Sequence, residues 1–312
     1  DNVYFDANSF SATGQTVSIS AAVADCKTMD WTGVLNAPTF DVSNSLSVYG
    51  SFTLVDNMTL SGGSSISFKS TSAGNTISFS GHSSNRDIYF NGVGGEWTIQ
   101  DSLVQTSYAN ELNISNGILN TNGNTIKTGS FIVNGTATVN MSSSILRITY
   151  LGNITSPNFN CGTSKIYAVR PSWLQVSLYM SSSVNLYDFI NEATGSTGAF
   201  ELRGSGNYNK ITQNSPTSVL RLKGITADSV IVSPGKTLQL DGTVTVNDYL
   251  SLSGTPSSPT YLYGAGSNDS LLRTGGTISS SIYAMMQGVQ LLRIHDVNEI
   301  NQSLKVFKEL IK

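Results

Sequence analysis

Carboxylates are the side chains of this chain best suited to chemistry on a sugar polymer. Glycosidases need two carboxyl groups a few ångströms apart on either side of the bond that they cleave. On a repetitive scaffold, such a pair would recur at the spacing of one structural repeat. No pair of acids shows that spacing, so we expect them to solvate the surface; they include Asp25, Asp30, Asp41, Asp56, Asp87, Glu96, Asp101, Glu111, Asp188, Glu192, Glu201, Asp228, Asp241 and Asp248.

Aromatic side chains are the second set of candidates, because the apolar face of a sugar ring stacks on tyrosine and tryptophan. Most of them lie in segments that alternate apolar and polar residues. This position favours packing in the core over exposure for each one. The candidates are Tyr4, Tyr89, Trp97, Tyr150, Tyr167, Tyr179 and Tyr187.

Nucleophilic and metal chemistry lack the residues they need. The chain has two histidines and two cysteines, too few for the usual zinc ligand sets. His82 lies in the turn-like segment SGHSSN without a partner motif. Cys26 and Cys161 form no CxxC pattern, and we expect two buried thiols instead of a disulfide. The sequence therefore predicts no catalytic residues, no metal and no cofactor.

The composition predicts a folded, β-rich chain. Only 12% of the residues are charged, 39% are hydrophobic, and glycine occurs 29 times without a collagen period. A net charge of −3 predicts no nucleic-acid partner. No apolar run approaches the roughly 18 to 20 residues that span a bilayer, which predicts no membrane-spanning segment. The first residues contain neither Met nor a signal peptide, which indicates a mature or excised segment.

Short alternating segments predict many strands. Period-two alternation bounded by Asn-Gly, Ser-Gly or Thr-Gly is typical of half-buried strands with tight turns. Residues 193–214 are richest in turn residues, and we interpret them as a long loop or a seam. The predicted strands include SISFKS (65–70), TISFSG (76–81), DIYFNG (87–92), EWTIQ (96–100), LNISNG (112–117), NTIKTG (124–129), FIVNGTATVN (131–140) and SVLRLKG (218–224).

Internal repeats favour a solenoid. VYFD at 3–6 returns as IYFN at 88–91, and LSVYGSFTL around Gly50 returns as FIVNGTATV around Gly135, both at an offset of 85 residues. A looser copy surrounds Gly242. We therefore predict an all-β, parallel β-helix-like solenoid over residues 1–277, with copies near 1–85, 86–180 and 181–277. Apolar side chains would stack inward, and Asn, Ser and Thr would form hydrogen-bonded ladders at the turns. A row of immunoglobulin-like sandwiches is the alternative.

Residues 278–312 differ from the rest of the sequence. Leu291, Leu292, Ile294 and Val297 predict a short strand, and an amphipathic helix follows. This segment either caps the solenoid or is foreign to it. The predicted apolar face of the helix contains Ile300, Leu304, Phe307 and Ile311.

Two resemblances bear on function. NVYFDANSFSATGQTVSI, followed by CKTMDWTGV, FDVSNSLSVYGSFTL and IYFNGVGGEWTIQDSL, resembles repetitive proteins that gliding and related bacteria of the Bacteroidetes type secrete to their surface. This likeness covers about residues 1–277. It implies a secreted or cell-surface chain that serves in adhesion or structural spacing, with surface glycans or envelope components as partners.

The tail SIYAMMQGVQLLRIHDVNEINQSLKVFKELI resembles the last strand and helix of dihydropteroate synthase, a TIM-barrel enzyme of folate synthesis. The resemblance implies that Arg293 and His295 hold the phosphate or diphosphate of a pterin substrate. The preceding residues show no pattern for the other barrel units. Three hypotheses follow: a non-catalytic surface or adhesion domain, a β-helix that binds or cleaves polysaccharide, and a chimeric chain that carries a piece of dihydropteroate synthase.

Overall fold

The chain folds as a β-solenoid of about 11 turns with a short C-terminal helix. The computed structural model describes residues 1–169, 176–194, 198–265, 281–282, 285–286, 291–293 and 297–310 of the 312. Within these residues, the pairings between strands are parallel. The predicted fold class is confirmed, and antiparallel immunoglobulin-like sandwiches are excluded as its alternative.

The strands are short, and turns separate them. In chain order they are β1 (Val3–Tyr4), β2 (Thr16–Ser18), β3 (Val23–Cys26), β4 (Met29–Asp30), β5 (Thr39–Asp41), β6 (Ser45–Val48), β7 (Phe52–Thr53), β8 (Thr59–Ser61), β9 (Ile66–Phe68), β10 (Asn75–Ser78), β11 (Ser83–Ser84), β12 (Ile88–Phe90), β13 (Glu96–Ile99), β14 (Leu103–Gln105), β15 (Glu111–Ile114) and β16 (Ile118–Asn120). They continue as β17 (Thr125–Val133), β18 (Thr138–Asn140), β19 (Ile145–Ile154), β20 (Phe159–Asn160), β21 (Lys165–Ala168), β22 (Val176–Met180), β23 (Asn185–Asn191), β24 (Ala199–Gly204), β25 (Asn207–Gln213), β26 (Val219–Lys223), β27 (Thr226–Val232), β28 (Thr237–Asp241), β29 (Thr245–Leu252), β30 (Tyr261–Ala265) and β31 (Leu291–Arg293). The helix α1 (Val297–Leu310) follows, and residues 281–282 and 285–286 are also helical.

Two compact units divide the described chain. The first contains residues 1–167 and 179–187, and the second contains the other described residues. In the first unit, the strands lie on three faces. Face A is the sheet of β1, β4, β7, β10, β13, β16, β18 and β20. Face B holds β2, β5, β8, β11, β14, the first halves of β17 and β19, and β21. Face C holds β3, β6, β9, β12, β15 and the second halves of β17 and β19.

In-register stacking between successive turns builds the core of the first unit. Neighbouring parallel strands lie about 4.8 Å apart, so equivalent side chains of consecutive turns touch. Each large apolar side chain that is buried in this way contributes roughly 1.5 to 3 kcal/mol. One such inward row on face C, at most 2% exposed, consists of Leu46, Ile66, Ile88, Leu112 and Phe131.

The structural repeat is a single turn. On face A, paired residues lie from 20 apart in sequence, as Ile118 and Thr138 do, to 26 apart, as Val3 and Met29 do. Four turns on face C lead from Val48 to Val133, which accounts for the 85-residue offset around the two glycines. The other match at this offset joins β1 of face A to β12 of face C, which are not equivalent strands.

The second unit contains two series of parallel strands. One series contains β24, β26, β28, β30 and β31, and the other contains β25, β27 and β29. The interpretation of 193–214 as a long loop or seam is wrong for β24 and β25. Glycine and asparagine are frequent in this segment, but Phe200, Leu202, Tyr208 and Ile211 are buried, and they drive strand formation.

The C-terminal segment adds one rung and a helix to the second unit. β31 pairs with β30 and places Leu292 beside Leu262 and Arg293 beside Tyr263. The predicted helix is confirmed as α1. It begins at Val297, so the prediction that Val297 belongs to the strand is wrong, and Ile294 lies outside the described residues. Ile300 is fully buried, and Leu304 and Phe307 are half-buried, whereas Ile311 lies outside the described residues.

A tight bend joins faces B and C at Gly129. The register of β17 against β19 shifts between Thr128 and Ser130. A Cβ atom on Gly129 would lie 2.3 Å from the carbonyl oxygen of Tyr108 and 2.5 Å from that of Asn110. Both obstacles are backbone atoms of the preceding turn, so a side chain at this position requires the stack to shift.

We expect Gly129→Ala to lower the free energy of unfolding by about 1 to 3 kcal/mol through this overlap. Gly264→Ala in β30 is the matched control, because a Cβ atom there meets nothing within 4 Å. The control should stay within about 1 kcal/mol of the unmodified chain. Urea unfolding followed by circular dichroism measures both, and equal effects would contradict the steric explanation.

Burial of Ile300 should stabilise α1. Ile300→Ala is expected to cost about 2 to 5 kcal/mol of local stability and to speed amide exchange in α1. Val306→Ala on the same helix is the control, since Val306 is 56% exposed. Hydrogen–deuterium exchange with mass spectrometry checks this expectation. Unchanged exchange in both variants would show that the burial of Ile300 does not hold α1 in place.

Candidate functional site

An asparagine ladder runs along the outside of face A. Asn120 Nδ2 donates to Glu96 Oε1 at 2.8 Å, and Asn140 Nδ2 donates to Asn120 Oδ1 at 2.7 Å. Asn160 Nδ2 in turn donates to Asn140 Oδ1 at 2.7 Å. An amide carries both a donor and an acceptor, so asparagines stacked at the spacing of adjacent strands can form a continuous chain of hydrogen bonds. The polar ladder predicted at the turns is present at the last residues of β16, β18 and β20, which the turns follow.

An acidic patch lies on face C and consists of Asp87, Tyr89, Glu111 and Asn113. Asp87 Oδ1 accepts the backbone N–H of Glu111 at 2.8 Å, and Asp87 Oδ2 accepts the Tyr89 hydroxyl at 3.3 Å. Glu111 Oε1 accepts Asn113 Nδ2 at 2.6 Å. The expectation that no acids pair at the turn spacing is wrong here, because β12 and β15 place Asp87 and Glu111 on adjacent turns.

The environment of Tyr89 favours its protonated form. Burial, followed by the charges of Asp87 and Glu111, raises the pKa of the Tyr89 hydroxyl to about 12. The phenol therefore remains a hydrogen-bond donor to Asp87 well above neutral pH. With the two carboxylates, it presents a polar surface with fixed donors and acceptors to any ligand of face C.

The aromatic candidates separate into core and surface residues. Trp97 is fully buried, which confirms core packing for this residue. The same expectation is wrong for four tyrosines that occupy exposed positions. Tyr89 and Tyr167 are half-buried. The exposed tyrosines among the candidates are Tyr4, Tyr150, Tyr179 and Tyr187.

The predicted phosphate-binding pair falls at the edge of the described chain. Arg293 ends β31, where its backbone lies beside Tyr263. His295 lies outside the described residues. Phosphate binding by Arg293 and His295 therefore stays a prediction.

Cys26 and Cys161 are free thiols. Cys26 is buried, and burial raises the pKa of its thiol to about 11, whereas Cys161 is half-buried. In the described part of the chain, no three His, Cys, Asp or Glu side chains are placed to hold a metal ion. No helix within the same residues is long and apolar enough to cross a membrane.

Comparisons of the sequence with protein-family models and curated proteins, and of the fold with solved structures, found no match. The outward faces of the solenoid are therefore the features from which a function can be inferred. The asparagine ladder on face A and the acidic patch on face C present ordered polar groups on successive turns.

The raised pKa of Tyr89 should make the stability of the chain depend on alkaline pH. A folded-state pKa of about 12, against about 10 in the unfolded chain, means that the contribution is complete below pH 10. It is lost as the pH rises towards 12. We expect the unfolding free energy to fall more steeply between pH 10 and 12 in the unmodified chain than in Tyr89→Phe.

The control for this measurement is Tyr4→Phe, which removes a tyrosine that is 63% exposed. Urea unfolding at a series of pH values gives the slopes for all three proteins. The explanation fails if the slope of Tyr89→Phe equals that of the unmodified chain.

Proposed function

We propose that this chain is a non-catalytic, secreted or cell-surface solenoid that serves in adhesion or surface architecture. The asparagine ladder is the observation that carries the proposal. Its side chains bond to one another along the outside of four successive strands, from β13 to β20. A row of side chains held at intervals of about 4.8 Å is preorganised. Binding a repeating partner therefore costs these side chains little conformational entropy.

The partners we propose are surface glycans or envelope components. Sugar hydroxyls can exchange hydrogen bonds with asparagine and serine side chains, and exposed tyrosines offer faces for sugar rings. Tyr150 and Tyr179 are both exposed on the first unit. The resemblance of residues 1–277 to secreted repetitive proteins points to the same role.

A polysaccharide-cleaving β-helix is the second candidate, and the acidic patch favours it. Asp87 and Glu111 lie on adjacent turns, whose paired strands are about 4.8 Å apart. Two catalytic carboxyl groups require a separation of this order. In this hypothesis, one carboxyl group would act as the acid and the other as the base or nucleophile. Release of sugar products by the purified chain would distinguish it from the first proposal.

The test couples the purified chain to inert beads and measures their retention under flow on surfaces coated with bacterial envelope material. We expect retention without release of reducing sugars. Asn140→Ala breaks two bonds of the ladder and should lower retention several-fold. Asn158→Ala, which removes an exposed asparagine outside the ladder, is the control.

Circular dichroism of each variant verifies that the fold is retained. Absence of retention on every coating would contradict the adhesive role. Release of reducing sugars that disappears in Asp87→Asn and Glu111→Gln would replace the proposal with the cleaving enzyme.

A further inference from the structure

Acidic residues are missing from a long central stretch of the sequence. Between Glu111 and Asp188 there is no aspartate or glutamate, although the whole chain has a net charge of −3. The same stretch contains the basic residues Lys127, Arg147, Lys165 and Arg170. Arg170 lies outside the described residues, and the other three belong to the first unit.

The solenoid gathers these three cations on face B. Lys127 of β17 pairs directly with Arg147 of β19. The Lys165 N–H donates to the Ser144 carbonyl at 3.1 Å, which places Lys165 beside Ile145 and Tyr167 beside Arg147. We call Lys127, Arg147, Lys165 and Tyr167 the cationic patch.

The side chains of the patch point outward. The residue that precedes each member of the row Lys127, Arg147 and Tyr167 is buried in the core, and strand residues alternate between the two sides of a sheet. These inward neighbours are Ile126, Leu146 and Ile166, at most 1% exposed. Lys165 is exposed, and the other three members are half-buried.

Arg147 and Tyr167 form a cation–π pair. The guanidinium carbon of Arg147 lies 4.7 Å from the centroid of the Tyr167 ring. A cation–π contact leaves the guanidinium its positive charge and N–H donors that can form the two parallel hydrogen bonds that a carboxylate accepts. The pair can thus hold an anion beside the ring.

The positive charges of the patch are not neutralised within the described chain. Ion pairs among the described residues involve Arg203, Lys210, Arg221 and Lys223, and none includes Lys127, Arg147 or Lys165. Lys127 and Arg147 lie directly opposite each other on adjacent strands, a position at which like charges are destabilising. An anion bound between them would remove this repulsion. The other outward residues around them are neutral: Val104, Thr125, Ile145 and Thr149.

We propose that the cationic patch binds an acidic polysaccharide through its carboxylate groups. The inference rests on the proposed function, because it names the ligand class for one face of the adhesive solenoid. The three cations hold carboxylates on successive turns, and the aromatic ring of Tyr167 contacts the sugar. A nucleic acid fits less well, because its binding depends on many phosphate contacts and the patch offers three cations.

The test uses the full chain and immobilised polygalacturonate, with neutral dextran and polyadenylate as comparison polymers. We expect saturable binding to polygalacturonate that weakens as salt is added, and none to dextran. The triple variant Lys127→Gln, Arg147→Gln, Lys165→Gln should bind at least tenfold more weakly. The triple variant Lys27→Gln, Lys305→Gln, Lys308→Gln removes the same charge from exposed positions and should change binding less than twofold.

Circular dichroism checks the fold of both triple variants. If the patch variant misfolds, the single variant Lys165→Gln, at an exposed position, replaces it. Lys165→Gln should weaken binding about threefold. Equal binding by the patch variant and the control, no binding to polygalacturonate, or equally tight binding to polyadenylate would each overturn the inference. Retention on envelope material without polygalacturonate binding would leave the proposed function standing. Polygalacturonate binding with release of sugars would overturn only the non-catalytic role.

Discussion

Parallel, in-register hydrogen bonding between successive turns is the constraint on which the rest of this structure depends. It places each strand residue beside its equivalent in the next turn, at a separation that side chains can bridge. An inward position must then be apolar on turn after turn, as from Leu46 to Phe131. An outward position can carry side chains that form hydrogen bonds with their equivalents on the next turn, as Asn120, Asn140 and Asn160 do. Core and surface thus follow from one geometric rule.

The corners between sheets obey a different requirement, because backbone groups there lose their partners in the ladder. Buried glutamines supply the missing bonds in both units. Gln105 Nε2 donates to the carbonyl oxygens of Arg86 and Glu111, and Gln213 Nε2 donates to those of Ser218 and Thr237. Arg86 forms hydrogen bonds with the neighbouring turn, because its Nη2 donates to the carbonyl oxygens of Ser61 and Gly62. Burial lowers the pKa of this guanidinium to about 10, so its contacts come at an electrostatic cost.

Alternation of apolar and polar residues was enough to predict the fold class, because each short segment buries one side. It also predicted the strands β9, β10, β12, β13, β15, β17, β18 and β26. The helix α1 was also predictable, since its apolar positions fall on one face. The pairing of particular turns could not be predicted, because turns differ in length. The sequence separation between paired residues therefore varies from turn to turn. Asp87 and Glu111 were missed for this reason, and so was the meeting of Lys127, Arg147 and Lys165 on face B. Outward tyrosines such as Tyr150 escaped prediction because a single alternating segment does not show which of its sides faces water.

The varying length of the turns also bears on how genes for such chains can change. Residues added or lost at a corner alter only a surface loop, because the strands on either side keep their partners. A single residue lost within a strand would exchange its inward and outward sides from that point to the next corner. Loss of a whole turn would instead leave every remaining row continuous. Viable length variants of this scaffold should therefore differ by complete turns or by residues at the corners.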